Sequence, residues 1–87
     1  MPYIIQFDNA LETILQKLKK KDYILYQRII HKIIEISKNP ELGKPLRNVL
    51  KGKRRVHVGS FVLVYSIDKK NETVIFLNFE HHDKVYR

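Results

Sequence analysis

The sequence has 87 residues, 44% of them apolar, and a formal net charge of +8, so it has room for one small domain with a single core over residues 1–87. Cysteine is absent, which excludes disulfides, thiolate nucleophiles and sulfur-bound zinc. Because no apolar run approaches the roughly 20 residues of a membrane span and the first residues lack the pattern of a signal peptide, we expect a soluble, cytoplasmic protein without membrane contact.

The first half of the chain predicts a short strand followed by a helical hairpin. Pro2 to Phe7 is rich in β-forming residues and indicates the strand. Asp8 and Asn9 can cap a first helix, and Asp22 can cap a second that ends before Pro40. The apolar residues at helical spacing are Leu11, Ile14, Leu15 and Leu18 in the first helix and Tyr26, Ile29, Ile30, Ile33 and Ile36 in the second.

Residues 39–53 form the long connection, and the positive charge begins to concentrate there. Residues 1–43 carry 7 basic and 5 acidic side chains, whereas residues 44–87 carry 10 and 4. Six cations with no carboxylate between them are Lys44, Arg47, Lys51, Lys53, Arg54 and Arg55. Such a field attracts phosphate backbones through counterion release, and the alternative is a solvated loop that keeps the protein soluble.

Three strands are predicted in the second half. The first, residues 54–58, alternates, with Arg55 and His57 on one face and two valines on the other. Gly59-Ser60 fits a hairpin turn, residues 61–67 form a strand covered on both faces, and residues 73–79 form the last strand. Residues 80–87 are a polar tail too short to fold by itself. The order β-α-α-β-β-β predicts an α+β domain with a helical hairpin packed on a small antiparallel sheet.

Three segments in this order resemble the RelE/ParE toxin superfamily over nearly the whole chain. They are Lys44-Pro45-Leu46-Arg47, the run from Arg54 to Tyr65, and the ending His81-His82-Asp83-Lys84-Val85-Tyr86-Arg87. The resemblance implies a RelE-like fold and a toxin of a type II toxin–antitoxin system. It also implies a cognate antitoxin that is small, acidic and largely helical.

In the RelE branch, the resemblance implies an endoribonuclease that cuts messenger RNA on the ribosome without a metal or a cofactor. Catalytic positions would be Arg55, His57, His82 and Tyr86, and RNA-binding positions would be Arg47, Lys51, Lys53 and Arg54. Tyr86 matches a tyrosine associated with the 2′-OH proton, and Arg55 matches a residue that stabilises the phosphate. A tyrosine with a pKa of about 10 needs a cationic surround to act as a base at neutral pH.

Three positions depart from the family pattern, because Val62, His82 and His57 stand where arginine or another basic residue is usual. Loss of a guanidinium removes permanent charge and bidentate phosphate contacts, and histidine replaces them only when it is protonated. These departures leave two alternatives open. One is a ParE-like toxin that binds and inhibits DNA gyrase without chemistry of its own, and the other is an inactive domain that only binds antitoxin.

Several of these residues also have an ordinary structural interpretation. Tyr65 lies within an apolar strand and is expected in the core, while Tyr86 could be a packed anchor. His81 and His82 are adjacent in an extended segment and should point to opposite sides, so we expect no metal site there. Arg55 and His57 could form a solvated strand edge.

Overall fold

The computed structural model describes residues 2–46 and 52–85, apart from the side chains of residues 84 and 85. Its elements, in chain order, are β1 (Ile4–Phe7), α1 (Asn9–Lys21), α2 (Tyr23–Lys38), β2 (Lys44–Pro45), β3 (Lys53–Val58), β4 (Phe61–Asp68), β5 (Thr73–His81) and α3 (His82–Val85). A short 3-10 turn, Pro40–Leu42, joins α2 to β2. The predicted α+β architecture, with a helical hairpin packed on a small sheet, is confirmed.

The two helices begin where the capping residues predict. Asp8 accepts a hydrogen bond from the backbone N–H of Ala10 at 3.4 Å, and Asp22 accepts one from the N–H of Leu25 at 3.1 Å. Each bond satisfies a helix N-terminal N–H that has no partner within the helix. The helices in the described residues lack the combination of length and apolar character that crossing a membrane requires.

The sheet has five strands in the order β1-β5-β4-β3-β2. It is mixed rather than wholly antiparallel, because β1 pairs parallel to β5 while every other pair is antiparallel. The helical hairpin explains the parallel pair. It returns the chain to the start of β1, where the N–H of Tyr3 donates to the carbonyl of Ser37 at 2.7 Å. The chain then forms β2 at the opposite edge of the sheet, and β3, β4 and β5 follow in order until β5 lies beside β1.

Two predicted boundaries are wrong, and both errors concern segments held by distant partners. The tail does not begin at Glu80, because Glu80 and His81 continue β5 opposite Val62 and Phe61. The next residues form α3, whose first N–H, that of His82, donates to the carbonyl of Ser60 at 3.0 Å. Likewise, the connection predicted over residues 39–53 contains β2. A strand of two residues is too short to produce a recognisable pattern in the sequence.

The main core lies between the helices and one face of the sheet, which we call the helix face. Its largest fully buried side chains are Tyr65, Phe76, Leu11, Ile29, Ile33, Ile36 and Leu63. The opposite side of the sheet, which we call the open face, carries a smaller apolar cluster of Leu46, Val62 and Val64, with Leu77 against it. Burial on both sides of β4 confirms that this strand is covered on both faces.

Candidate functional site

Alternation along β3 separates its side chains between the two faces of the sheet. Val56 and Val58 pack with the main core on the helix face. Lys53, Arg55 and His57 alternate with them and therefore belong to the open face. The predicted sharing of one face by Arg55 and His57 is confirmed by contact, since Arg55 Nη1 lies 3.1 Å from His57 Nε2.

Two further residues join this pair on the open face. The ring of His82 stacks on that of His57, with centroids 5.5 Å apart and planes inclined by 26°. Lys44 of β2 stands directly opposite Arg55 in the antiparallel register. Cross-strand partners lie on the same face of a sheet, so Lys44 brings an ammonium group next to this site. We call Lys44, Arg55, His57 and His82 the basic cluster.

The surroundings of His57 in the basic cluster lower the pKa of its imidazole. The pKa of His57 is lowered from its ordinary value of 6.5, first by the partial burial of its ring and then by its electrostatic interactions with Arg55, His82 and Lys44. Burial and nearby cations both disfavour the protonated form. The neutral ring can accept a hydrogen bond from Arg55, and it is available as a proton acceptor at neutral pH.

The two neighbouring histidines separate as predicted. The ring of His81 packs edge-on against Phe61, with a centroid distance of 5.7 Å, whereas His82 turns to His57. Asp83 lies between them, with a carboxylate oxygen 3.7 Å from Nδ1 of each histidine. Within residues 2–46 and 52–85, no group of three or more His, Cys, Asp and Glu side chains has the geometry to hold a metal ion.

Arg54, predicted to bind RNA, lies apart from the basic cluster. Its Nη1 donates to the carbonyl of Gly43 at 2.6 Å and to that of Glu41 at 3.3 Å. Strand alternation is the reason, because it places Arg54 on the opposite face from Arg55 and beside the chain that leads from α2 to β2. These bonds give the side chain of Arg54 a role in positioning β2, and its contact with RNA stays a prediction.

Tyr65 holds the same connection from within the core. The residue is fully buried, as expected, and its hydroxyl donates to the carbonyl of Pro40 at 2.7 Å and accepts from the N–H of Gly43 at 2.8 Å. Burial raises the pKa of Tyr65, so the hydroxyl remains protonated. A Cβ added at Gly43 would lie 2.6 Å from this hydroxyl oxygen and from the carbonyl of Arg55, so only glycine fits.

Val62, which stands where the family commonly has arginine, is fully buried on the open face. It pairs with His57 in the register and packs with Leu46 and Val64. A guanidinium at this position would displace an apolar contact. The cationic side chains lie instead on the side of the sheet edge formed by β2, where Lys44 stands opposite Arg55. Lys44 was not among the site residues predicted from the sequence. Its signal was the dense cation run of residues 44–55.

The other predicted site residues divide into two groups. Lys53 lies half-buried on β3, two residues before Arg55 and on the same face, so it borders the basic cluster. Arg47, Lys51 and Tyr86 fall outside the described residues, and their assignment stays a prediction.

A helical hairpin on a mixed sheet, with a basic cluster on its open face, is the small basic domain that the resemblance to the RelE/ParE toxin superfamily implies. The family model for the ParE toxin of the type II toxin–antitoxin system parDE matches residues 5–86. The chain belongs to this family and is a toxin of the type II class, which confirms the resemblance carried by the three sequence segments.

Individual relatives agree with this assignment. The chain is 45% identical over 86 residues to the putative toxin RelE4 of Methanocaldococcus jannaschii, with 98% of this chain and 92% of the relative covered. It is 33% identical over 88 residues to the toxin RelG of Mycobacterium tuberculosis, with 100% and 99% covered. A chain in the solved toxin–antitoxin complex RelBE2 of M. tuberculosis superimposes with a TM-score of 0.81 at 28% identity, covering 94% of this chain and all of that one.

Proposed function

We propose that this toxin is an endoribonuclease that cuts messenger RNA on the ribosome and so inhibits translation, without a metal or a cofactor. The basic cluster is the observation that carries the proposal, because it gathers a guanidinium, an ammonium and two imidazoles on one exposed face. This is the set of groups that cleavage of RNA by its own 2′-OH requires. Membership of a superfamily that includes ribonuclease toxins adds support.

The reaction begins at the ribose 2′-OH next to the cleaved bond. His57 takes the 2′ proton on Nε2 while the 2′ oxygen bonds to phosphorus. The bond from phosphorus to the 5′ oxygen breaks, and that oxygen takes a proton from the imidazolium form of His82. The products are a 2′,3′-cyclic phosphate and a 5′-hydroxyl end. Two stacked imidazoles within one cluster can serve as the acceptor and the donor of these two proton transfers.

The cations stabilise the charge that grows on the non-bridging phosphate oxygens. Arg55 donates to His57 in the unbound protein, and a bound phosphate competes for that guanidinium because charge-assisted hydrogen bonds are the stronger ones. When the guanidinium of Arg55 donates to the phosphate instead of to His57, Nε2 of His57 is free to act as the base. Lys44, opposite Arg55, adds a second positive charge beside the same oxygens.

The remaining predicted residues extend this assignment. Tyr86 assists at the 2′-OH in the role that the resemblance implies. Arg47, Lys51 and Lys53 bind the RNA backbone. Arg54 has no part in the proposal, because its guanidinium is engaged with backbone carbonyls.

The expected partner besides messenger RNA and the ribosome is a cognate antitoxin, small, acidic and largely helical. The complex RelBE2 shows that a similar toxin assembles with an antitoxin. Here an acidic chain would complement the excess positive charge of residues 44–87 and cover the basic cluster. Such a complex would keep the toxin inactive.

A second candidate function is inhibition of DNA gyrase by binding. Two observations favour it, namely the match to the ParE family model and the buried valine at the position where RelE-like enzymes commonly carry arginine. Gyrase inhibition needs no catalytic cluster. It would produce DNA breaks and an SOS response, with messages left intact.

The deciding experiment measures cleavage of a defined messenger bound to purified ribosomes. Arg55→Ala should slow cleavage by about 10²–10³-fold, as expected for the loss of one group that stabilises transition-state charge. Lys17→Ala, which removes an exposed cation from α1, is the matched control and should cleave like the wild type. Full activity of Arg55→Ala would overturn the catalytic assignment, and DNA breaks with intact messages after controlled expression would establish the gyrase function instead.

A further inference from the structure

A polar groove runs between α2 and the end of β3, next to the basic cluster. Its volume is about 300 Å³, and its lining residues are Arg28, His31, Lys32, Glu35, His57 and Val58. The four helix residues recur at the i, i+3, i+4, i+7 spacing of one helix face. His57 belongs to both the groove and the basic cluster, so the two sites are continuous. We call this feature the α2–β3 groove.

The groove exists because β2 covers only part of the edge of β3. In the described residues, β2 pairs with Arg54 and Arg55 and leaves Val56 to Val58 without a strand on that side. Helix α2 passes beside this uncovered stretch. Its polar face therefore lines one wall of the groove, and the end of β3 lines the other.

The α2–β3 groove has a net positive charge once the ion pair in its lining is counted as neutral. Lys32 and Glu35 neutralise each other through an ion pair of 3.1 Å. Arg28 makes no ion pair with any acidic residue in residues 2–46 and 52–85, and its guanidinium extends over the β3–β4 turn at Gly59. His31 is also exposed. The wall facing His57 thus presents a guanidinium and an imidazole to solvent.

We propose that the α2–β3 groove binds the RNA backbone beside the cleaved phosphate, with Arg28 as its phosphate contact and His31 as a platform for an adjoining base. The proposal rests on the RNA-cleaving function and extends the binding site from the open face around the edge of β3. A guanidinium suits a phosphate because its donors match two oxygens at once. An exposed imidazole can stack on a base, as aromatic side chains do in single-stranded RNA sites.

The test compares two variants that each lose one exposed cation from a helix, Arg28→Ala in the groove and Lys17→Ala outside it. Binding of the purified full-length toxin to a single-stranded 2′-O-methyl RNA, which lacks the attacking hydroxyl, is measured over a range of salt concentrations. Loss of one phosphate contact should reduce the slope of log affinity against log salt by about 0.7. We expect this change for Arg28→Ala, with Lys17→Ala retaining the wild-type slope.

A second readout uses cleavage of ribosome-bound messenger. Arg28→Ala should raise KM several-fold and leave kcat near the wild-type value, since the contact is remote from the reacting atoms. Arg28→Lys should restore most of the salt slope. If Arg28→Ala and Lys17→Ala behave alike in both assays, or if Arg28→Ala weakens only antitoxin binding, the groove proposal is wrong and the proposed function stands. A wild type that neither binds nor cleaves RNA would overturn both.

Discussion

Arg54 and Arg55 are adjacent in the chain, yet they lie on opposite faces of β3 and have different roles. The guanidinium of Arg54 donates to the carbonyls of Glu41 and Gly43, whereas that of Arg55 reaches the ring of His57. The first contact fixes a connection, and the second belongs to the basic cluster. The face of the strand, rather than residue type or local charge density, decides which of these cations joins the basic cluster.

The same contrast holds for the two faces of the whole sheet. The helix face carries the main core, in which Phe76 and Tyr65 are fully buried. The open face carries a smaller apolar cluster around Val62, next to the exposed basic residues. Stability should therefore depend mainly on the helix face and activity mainly on the open face.

The largest expected effect on stability comes from removing a large side chain from the core on the helix face. Phe76→Ala should lower the free energy of unfolding by about 3–5 kcal/mol, because it removes a fully buried ring that contacts Phe7 and Tyr65. That loss is comparable to the total stability of a small domain, so the variant should be largely unfolded at 37 °C. Urea unfolding followed by circular dichroism measures it. Ile24→Ala, at a position 73% exposed, is the control and should unfold like the wild type.

The neighbouring arginines give the sharpest test of the comparison. Arg54→Ala should cost about 1–2 kcal/mol of unfolding free energy, since it removes charged hydrogen bonds to two backbone carbonyls at a half-buried site. Arg55→Ala should cost less than Arg54→Ala, because the guanidinium of Arg55 contacts the exposed ring of His57 rather than the connection that leads to β2. Chemical denaturation of both variants measures the difference. Equal stabilities would show that Arg54 does not hold β2 in solution.

The smallest expected effect is a shift in pH dependence. The charge of Lys44 is one cause of the lowered pKa of His57, so Lys44→Gln should raise that pKa toward its ordinary value. A base must be deprotonated to act, and activity falls as pH drops through its pKa. The acidic limb of the profile of kcat/KM against pH should therefore move to higher pH in Lys44→Gln. Lys17→Gln should leave the limb in place, and an unmoved limb in both variants would remove His57 from the role of base.

Much of the fold could be predicted because its signals are local. Asp8 and Asp22 cap the helices as their positions indicate, and the apolar spacing identifies Leu11 and Ile29 as buried. Alternation in β3 also predicted that Arg55 and His57 share a face, which is half of the basic cluster. The segment motifs identified the superfamily.

The rest depended on partners far away in the chain. Strand β2 has two residues and no pattern of its own, and it is held by Tyr65 and Arg54 across the fold. The place of Lys44 in the basic cluster follows from that pairing, so the sequence alone did not reveal it. The parallel pairing of β1 with β5 likewise joins the two ends of the chain.

By itself, the sequence determined the two helices, the main strands, the excess of positive charge and the family, because capping, periodicity and motif spacing act within a few residues. Only the tertiary structure decided which cations meet on the open face. A side chain's face and its cross-strand neighbours are set by register and by the path of the whole chain, through contacts such as those of Lys44 with Arg55 and of His57 with His82, which lie on different elements.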